Sequence, residues 1–223
     1  MDIIGQLPQI FHVRFEQLLF GYRFDQIDLD GYRLEGYRTW DGKYNGEYKE
    51  WNRAGQLIIY NHFHRGKKHG NCKQWCNTGQ LWIDENYQED KLHGTYKQWF
   101  VGGKPMADEN YHEGKKHGNC KRWYDPDPQL SQLLRSDENF HEDKYHGNCK
   151  YWHANGQLKF DYNYNENKLD GLCKQWYTNG QLANITNFKE DKKHGTYKKF
   201  DKEGKLECHI EYDQNRPKII FKN

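Results

Sequence analysis

The sequence predicts an all-β fold: an elongated, twisted antiparallel β-meander array of about seven 24-residue hairpin repeats, with a short N-terminal capping segment. Three observations predict it. The phrase His-Gly-x-x-Lys-x-Trp recurs along the 223 residues, each copy is followed by two turn signals, and the segments between the turns are rich in β-formers. The glycines of the phrase, spaced by 24 residues except for one step of 29, are Gly46, Gly70, Gly94, Gly118, Gly147, Gly171 and Gly195.

One repeat predicts two strands and two turns. After Gly70, residues 71–75 alternate as a strand does, Thr78-Gly79 predicts a turn, and residues 81–87 form a second strand. Asp90-Lys91 closes the unit before His93-Gly94 opens the next. No room remains for a helix, so each repeat is a hairpin and neighbouring repeats lie about 9.5 Å apart, which is two strand spacings.

Aromatic residues recur in two columns that are expected to stabilise the sheet, because each large ring buries about 150–250 Å². The first column, predicted to stack, is Trp51, Trp75, Trp99, Trp123, Trp152, Trp176 and Phe200. The second is Phe63, Tyr87, Tyr111, Phe140, Tyr164, Phe188 and Tyr212, mostly preceded by Asn. Replacing Trp99 by Ala is expected to cost about 3–5 kcal/mol.

Four of the six cysteines share one repeat position, two residues after the glycine: Cys72, Cys120, Cys149 and Cys173. Disulfides need Cα atoms within about 7 Å, which is less than the repeat spacing. We therefore expect reduced, buried thiols.

Three segments depart from the period. The array is predicted over residues 36–212, preceded by an N-terminal cap (1–35) with a short helix at residues 8–20 and followed by a cap strand (213–223). In the longer fourth interval Asp125-Pro126-Asp127-Pro128 replaces the glycine turn, and strand pairing is expected to continue across it. Leu130, Leu133 and Leu134 then form a loop or one helical turn, which is either a contact site or a neutral insertion.

The repeat unit resembles the MORN repeat, in its variant type with Trp after His-Gly and Gly-Gln-Leu in the first turn. The Gly-Gln-Leu copies begin at Gly55, Gly79, Gly156 and Gly180. The resemblance implies an elongated sheet used for protein–protein contact, often self-association, and sometimes for phosphoinositide or membrane attachment. It also implies that such variant arrays are frequent in bacteria, where some are antitoxin-like, and in large DNA viruses. The second glycine of the more familiar form is replaced here by Tyr or Cys, so functions tied to that form transfer poorly.

A lysine column is the candidate interaction surface: Lys73, Lys97, Lys121, Lys150 and Lys174, with Lys49 and Lys198 at the ends. Each lysine shares a strand face with the Trp two residues on. One interpretation is a cationic ladder for anionic lipid or an acidic partner, worth about 1 kcal/mol per lysine at an anionic surface. The other is lysine stems covering Trp rings. The turn glutamates, such as Glu89 and Glu142, are expected to neutralise part of the field.

Catalytic and metal sites are not predicted. The histidine column (His69, His93, His117, His146 and His194) repeats at about 9.5 Å, too far apart for neighbours to share a metal. No nucleophile elbow, phosphate-binding glycine loop or His-Glu-x-x-His motif is present, so we expect no enzyme activity and no cofactor. A net charge of +2 makes nucleic-acid binding unlikely as a function.

The sequence therefore predicts a non-enzymatic scaffold for protein–protein interaction with an unknown partner, with homodimerisation plausible. The alternatives are a peripheral membrane module that binds anionic lipid through the lysine column, and an antitoxin-like binding partner. No secretory signal or transmembrane run is evident, which favours the cytoplasm, or the host-cell cytoplasm or virion for a viral protein.

Overall fold

The computed structural model describes residues 21–125 and 132–222, and all of their regular structure is β. Within these ranges no helix is long and apolar enough to cross a membrane. The strands are β1 Tyr22–Ile27, β2 Arg33–Arg38, β3 Tyr44–Trp51, β4 Leu57–His64, β5 Lys67–Lys68, β6 Gly70–Trp75, β7 Leu81–Gln88, β8 Lys91–Trp99, β9 Pro105–His112, β10 Lys115–Lys116, β11 Gly118–Trp123, β12 Leu134–His141, β13 Lys144–Tyr145, β14 Gly147–Trp152, β15 Leu158–Asn165, β16 Lys168–Leu169, β17 Gly171–Trp176, β18 Leu182–Lys189, β19 Lys192–Phe200, β20 Leu206–Asp213 and β21 Arg216–Lys222.

All strand pairs are antiparallel and join neighbours in the chain, so the strands form one open meander, as predicted. The hairpin β6–β7 is representative: Gly70 faces Tyr87, Cys72 faces Glu85 and a β-bulge follows Gln74. The bulge recurs in every repeat and increases the local twist of the strands.

Each repeat glycine lies directly opposite a ring of the second aromatic column. Gly118 faces Phe140 and has a φ of +87°, a conformation that side chains other than glycine rarely adopt. This backbone conformation explains the strict glycine column, whereas a clash does not, since a Cβ at Gly118 would meet only Asn110 Cβ at an ordinary 3.8 Å.

The two kinds of turn hold the repeats differently. In the first, Gly55 N–H donates to the Asn52 carbonyl at 2.9 Å and closes a hairpin within one repeat. The second is a primed turn such as Glu142-Asp143, with φ values of +51° and +65°. There Asp143 clamps the preceding repeat: its N–H donates to the Lys116 carbonyl at 2.9 Å, and its Oδ1 accepts from the Lys116 N–H at 2.8 Å.

Strand alternation gives the sheet two distinct faces. The thiol face carries the four equivalent cysteines, the repeat glycines and the second aromatic column. Cys72, Cys120 and Cys149 have no exposed surface and Cys173 is 2% exposed, and all are free thiols, as expected. Burial raises the pKa of Cys149 to about 11. The other face carries the lysine column and is called the lysine face.

Ring contacts between repeats lie on the thiol face. Tyr145 bridges two members of the second column, with ring centroids 4.7 Å from Phe140 and 5.1 Å from Tyr164. None of the ring pairs in the described residues joins two tryptophans, so the predicted Trp stack is not observed. The reason is geometric: Trp occurs on every second strand, and Trp75, for example, pairs with Leu81 of its own hairpin.

The ends and the long interval extend the same sheet. The hairpin β1–β2 pairs with β3, so the predicted boundary between residues 35 and 36 falls inside β2. Pairing continues across the long interval, where Trp123 faces Leu134, and Leu134 already belongs to β12. The helix predicted at residues 8–20, and Leu130, lie outside the described residues. β21 contains the strand expected near the C-terminus.

Candidate functional site

The lysine column lies in a row with strand aspartates. Lys73 Nζ is 3.1 Å from Asp84 Oδ2, and Lys97 Nζ is 3.6 Å from Asp108 Oδ2. Register between consecutive repeats places a second aspartate on the other side, so Lys97 lies between Asp84 and Asp108. The row across the middle of the sheet reads Lys73, Asp84, Lys97, Asp108, Lys121, Asp137, Lys150, Asp161 and Lys174.

This alternation removes most of the positive field that a lysine column alone would create. Five lysines and four aspartates share the row, and the lysine side chains are only partly exposed. The turn glutamates engage other groups: Glu142 pairs with Lys115 Nζ at 2.6 Å and Glu166 with Lys144 Nζ at 2.7 Å. Among the described residues no lysine of the column covers a Trp ring; the one cation over a Trp is Arg33, 4.8 Å from the Trp51 centroid.

An asparagine ladder runs beside the lysine row. Asn110 Nδ2 donates to the Asn119 carbonyl at 2.7 Å, and Asn139 Nδ2 donates to the Asn148 carbonyl at 2.6 Å. These carbonyls lie where the strand pairing is interrupted after the repeat glycine, so the amides replace missing ladder bonds. The Asn residues that precede five of the seven aromatic residues of the second column therefore occupy a structural position.

Neighbouring histidine rings lie closer together than the repeat spacing of about 9.5 Å, because further histidines lie between those of the predicted column. His112 lies between His93 and His117, with ring centroids 4.9 Å and 5.7 Å away, and His141 continues the row 5.1 Å from His117 and 5.8 Å from His146. The added histidines come from the strand ends that directly follow Tyr111 and Phe140. In the described residues, however, no three His, Cys, Asp or Glu side chains are arranged to hold a metal ion.

Direct comparison finds a family likeness for part of the chain. Residues 145–166, 169–190 and 193–214 match the MORN repeat variant. These three units are similar to MORN repeats of the variant type. They cover β13 to β20, and the hairpins from β3 to β12 share their bulge, glycine and turn geometry. MORN repeats commonly act as protein-binding or membrane-lipid-binding modules and form a scaffold family rather than an enzyme family. No curated protein matches the chain.

The thiol face contains a buried carboxylate that sequence reasoning missed. Glu109 is 2% exposed, accepts from Tyr111 Oη and Arg122 Nε at 2.6 Å each, and lies 3.2 Å from Lys116 Nζ. Burial alone would raise the pKa of Glu109, but the hydrogen bonds from Tyr111 and Arg122 and the charge of Lys116 lower it below its ordinary value. The signal was an acidic residue opposite Tyr96, at the repeat position that Cys occupies in four of the seven repeats.

Beside Glu109 the thiol face opens into a groove of about 460 Å³. Its floor is Ala107, its walls include Tyr96, Phe100 and Trp123, and Arg122 and Arg135 line it as well. The groove adjoins the longer fourth interval. It is a concave surface that the described part of the sheet offers to a ligand.

Proposed function

We propose that this chain is a non-enzymatic MORN scaffold that binds other proteins, with self-association as one of its contacts. The observation that carries the proposal is the outer edge of β21, which pairs with β20 and with no other strand of the described residues. All seven residues of β21 are exposed, and Ile219, Ile220 and Phe221 keep 61%, 51% and 42% of their surface accessible. An unpaired edge strand with apolar side chains is a template for adding a strand from another chain.

The lipid alternative is less well supported. A membrane surface would have to attract lysines whose charges are balanced within the same row by Asp84, Asp108, Asp137 and Asp161. Surface attraction depends on the net charge near the membrane, so this row should bind anionic lipid weakly. Antitoxin-like binding would be one case of protein binding, and no contact in the structure favours it specifically.

The test uses affinity capture and light scattering on the full chain at physiological salt. The double variant Ile219→Asp/Phe221→Asp should lose captured proteins and self-association, because buried, unpaired carboxylates oppose strand addition. The matched control is Ile27→Asp on β1, where Ile27 is 73% exposed but shares its strand with Arg23 and Asp25. Because these charges interrupt the apolar surface of β1, the control should leave both readouts unchanged.

Self-association through β21 has a further signature. Antiparallel pairing of two copies brings Arg216, Lys218 and Lys222 of one copy near the same basic residues of the other. Salt screens the repulsion between these like charges, so raising the salt concentration should strengthen the dimer. A chain that stays monomeric, captures no protein and sediments with anionic vesicles would overturn the scaffold proposal in favour of lipid binding.

A further inference from the structure

The array departs from its own pattern at one position on the thiol face. On the second strand of each repeat, one position directly precedes the residue that pairs with the column lysine, and its side chain lies on the thiol face. From the first repeat to the last, this position is occupied by Ile59, Ile83, Ala107, Ser136, Phe160, Asn184 and Cys208. Ala107 and Ser136 are the smallest pair of neighbours in this column, and both flank Arg122 across the sheet. The groove lies over Ala107, at a position where Ile59, Ile83 and Phe160 place larger side chains in other repeats.

The groove offers hydrogen-bond donors but few free acceptors. The two nearest buried carboxylates are saturated. Both oxygens of Glu109 accept hydrogen bonds, from Tyr111, Lys116 and Arg122. Both oxygens of Glu138 do so too, from Tyr145, Tyr151 and Ser136.

Two guanidinium groups remain available. Arg122 uses only Nε on Glu109, and its terminal nitrogens have no partner among the described residues. Arg135 occupies the bulge position of β12, is exposed and forms no ion pair with any described residue. Asp125 at the rim is the only exposed carboxylate in the groove lining that the structure describes. The planar guanidinium groups of Arg122 and Arg135 can therefore donate hydrogen bonds to a ligand carboxylate.

We propose that this groove binds an extended segment of a partner protein in which an aromatic or large apolar side chain adjoins a carboxylate. The apolar side chain fills the space over Ala107 between Tyr96 and Trp123, and the carboxylate meets Arg122 and Arg135. The volume lies in the range of about 300–1,000 Å³ that is typical of binding pockets. This inference rests on the proposed function, since it names the chemistry of a protein partner.

The test is calorimetric titration of the full chain with the peptide acetyl-Asp-Phe-Asp-amide. Two comparison peptides separate the contribution of the carboxylates from that of the aromatic ring: acetyl-Lys-Phe-Lys-amide reverses the charge, and acetyl-Asp-Gly-Asp-amide removes the ring. The first peptide should bind at least about tenfold more tightly than either comparison, which corresponds to about 1.4 kcal/mol.

Variants with matched controls locate the binding. Ala107→Ile introduces the residue that occupies the same column at Ile83 and should weaken binding about tenfold, because it fills the groove. Its control is Asn184→Ile, the same new side chain in the same column three repeats further on. Arg135→Ala should weaken binding about fivefold, whereas Lys159→Ala, at the equivalent bulge of β15, should not.

Three results would overturn the groove assignment: no peptide binding at millimolar concentration, equal binding of all three peptides, or unchanged binding by both Ala107→Ile and Arg135→Ala. If protein capture through β21 persists in that case, the scaffold proposal stands and only the groove fails. If capture fails while the peptide binds at Ala107, the groove stands as a peptide site without the β21 contact.

Discussion

Cys149 and Lys150 are chain neighbours, yet they belong to two surfaces with different physics. Cys149 has no exposed surface and lies among aromatic rings, whereas Lys150 lies half exposed between Asp137 and Asp161. The thiol face therefore supplies cohesion by burying thiols and rings, and the lysine face supplies a polar lattice with little net charge. A single-layer sheet can be stable when one face alone acts as the core, provided that the other face satisfies its own polar groups.

The two faces should differ most in the loss of stability that follows a change of charge. Cys149→Asp buries a carboxylate without a partner and should lower the free energy of unfolding by about 3–5 kcal/mol. Lys150→Ala, its neighbour on the other face, should cost less than about 1 kcal/mol, because exposed ion pairs contribute little. Urea unfolding followed by Trp fluorescence measures both; equal losses would show that the faces are not distinct.

The sequence predicted the features that depend on position within a repeat. The hairpins, the glycine column and the burial of Cys72 and its equivalents all follow from one 24-residue pattern. The features it missed depend on register between repeats. Asp84 lies 13 residues before Lys97 in the chain, and only the pairing of β7 with β8 makes them neighbours.

Two other features were not predicted from the repeat pattern, because they too depend on which strands pair. His112 follows an aromatic residue rather than preceding the repeat glycine, so it belongs to no predicted column, yet pairing sets it between His93 and His117. The groove lies over Ala107 beside Arg122, and placing these two residues together requires knowing that β9 pairs with β11.

The neutrality of the lysine face can be broken deliberately. Replacing Asp84, Asp108, Asp137 and Asp161 together by Asn keeps side-chain volume and leaves five lysines without their row partners. The variant should then bind phosphatidylserine vesicles, with up to about 1 kcal/mol from each lysine near the surface. Co-sedimentation at two salt concentrations tests this, with phosphatidylcholine vesicles as the control. Strong binding by the unmodified chain would contradict the neutral-row interpretation.

The thiol face should also make the protein sensitive to alkali. Burial raises the pKa of Cys72, Cys120, Cys149 and Cys173, the third to about 11 from an ordinary 9.0. Above pH 9 the unfolded chain loses thiol protons that the folded chain retains. The folded state then binds more protons, so the free energy of unfolding falls as pH rises from 9 towards 11.

This alkaline slope can be assigned to the cysteines by comparing urea midpoints from pH 7 to pH 11. The unmodified chain should lose stability above pH 9, and the variant with all four cysteines replaced by Ala should lose it less steeply. The comparison concerns the slope, so a lower starting stability of the variant does not affect it. Parallel curves would assign the loss to buried tyrosines such as Tyr151, whose pKa burial also raises.

The smallest expected effect concerns the clamps between repeats rather than either face. Asp143 holds Lys116 through both its backbone N–H and its side chain, whereas Gly114 holds the Leu92 carbonyl through its N–H alone, at 2.8 Å. Asp143→Gly keeps the turn conformation and removes one hydrogen bond, so it should cost about 1 kcal/mol.

Gly114→Asn should gain a few tenths up to about 1 kcal/mol, because Asn tolerates the left-handed conformation and its Oδ1 can reach the preceding repeat. A Cβ added at Gly114 meets Lys91 Cβ at 3.7 Å, an ordinary contact, so a loss of stability there would mean that the clamps are not independent of the two faces.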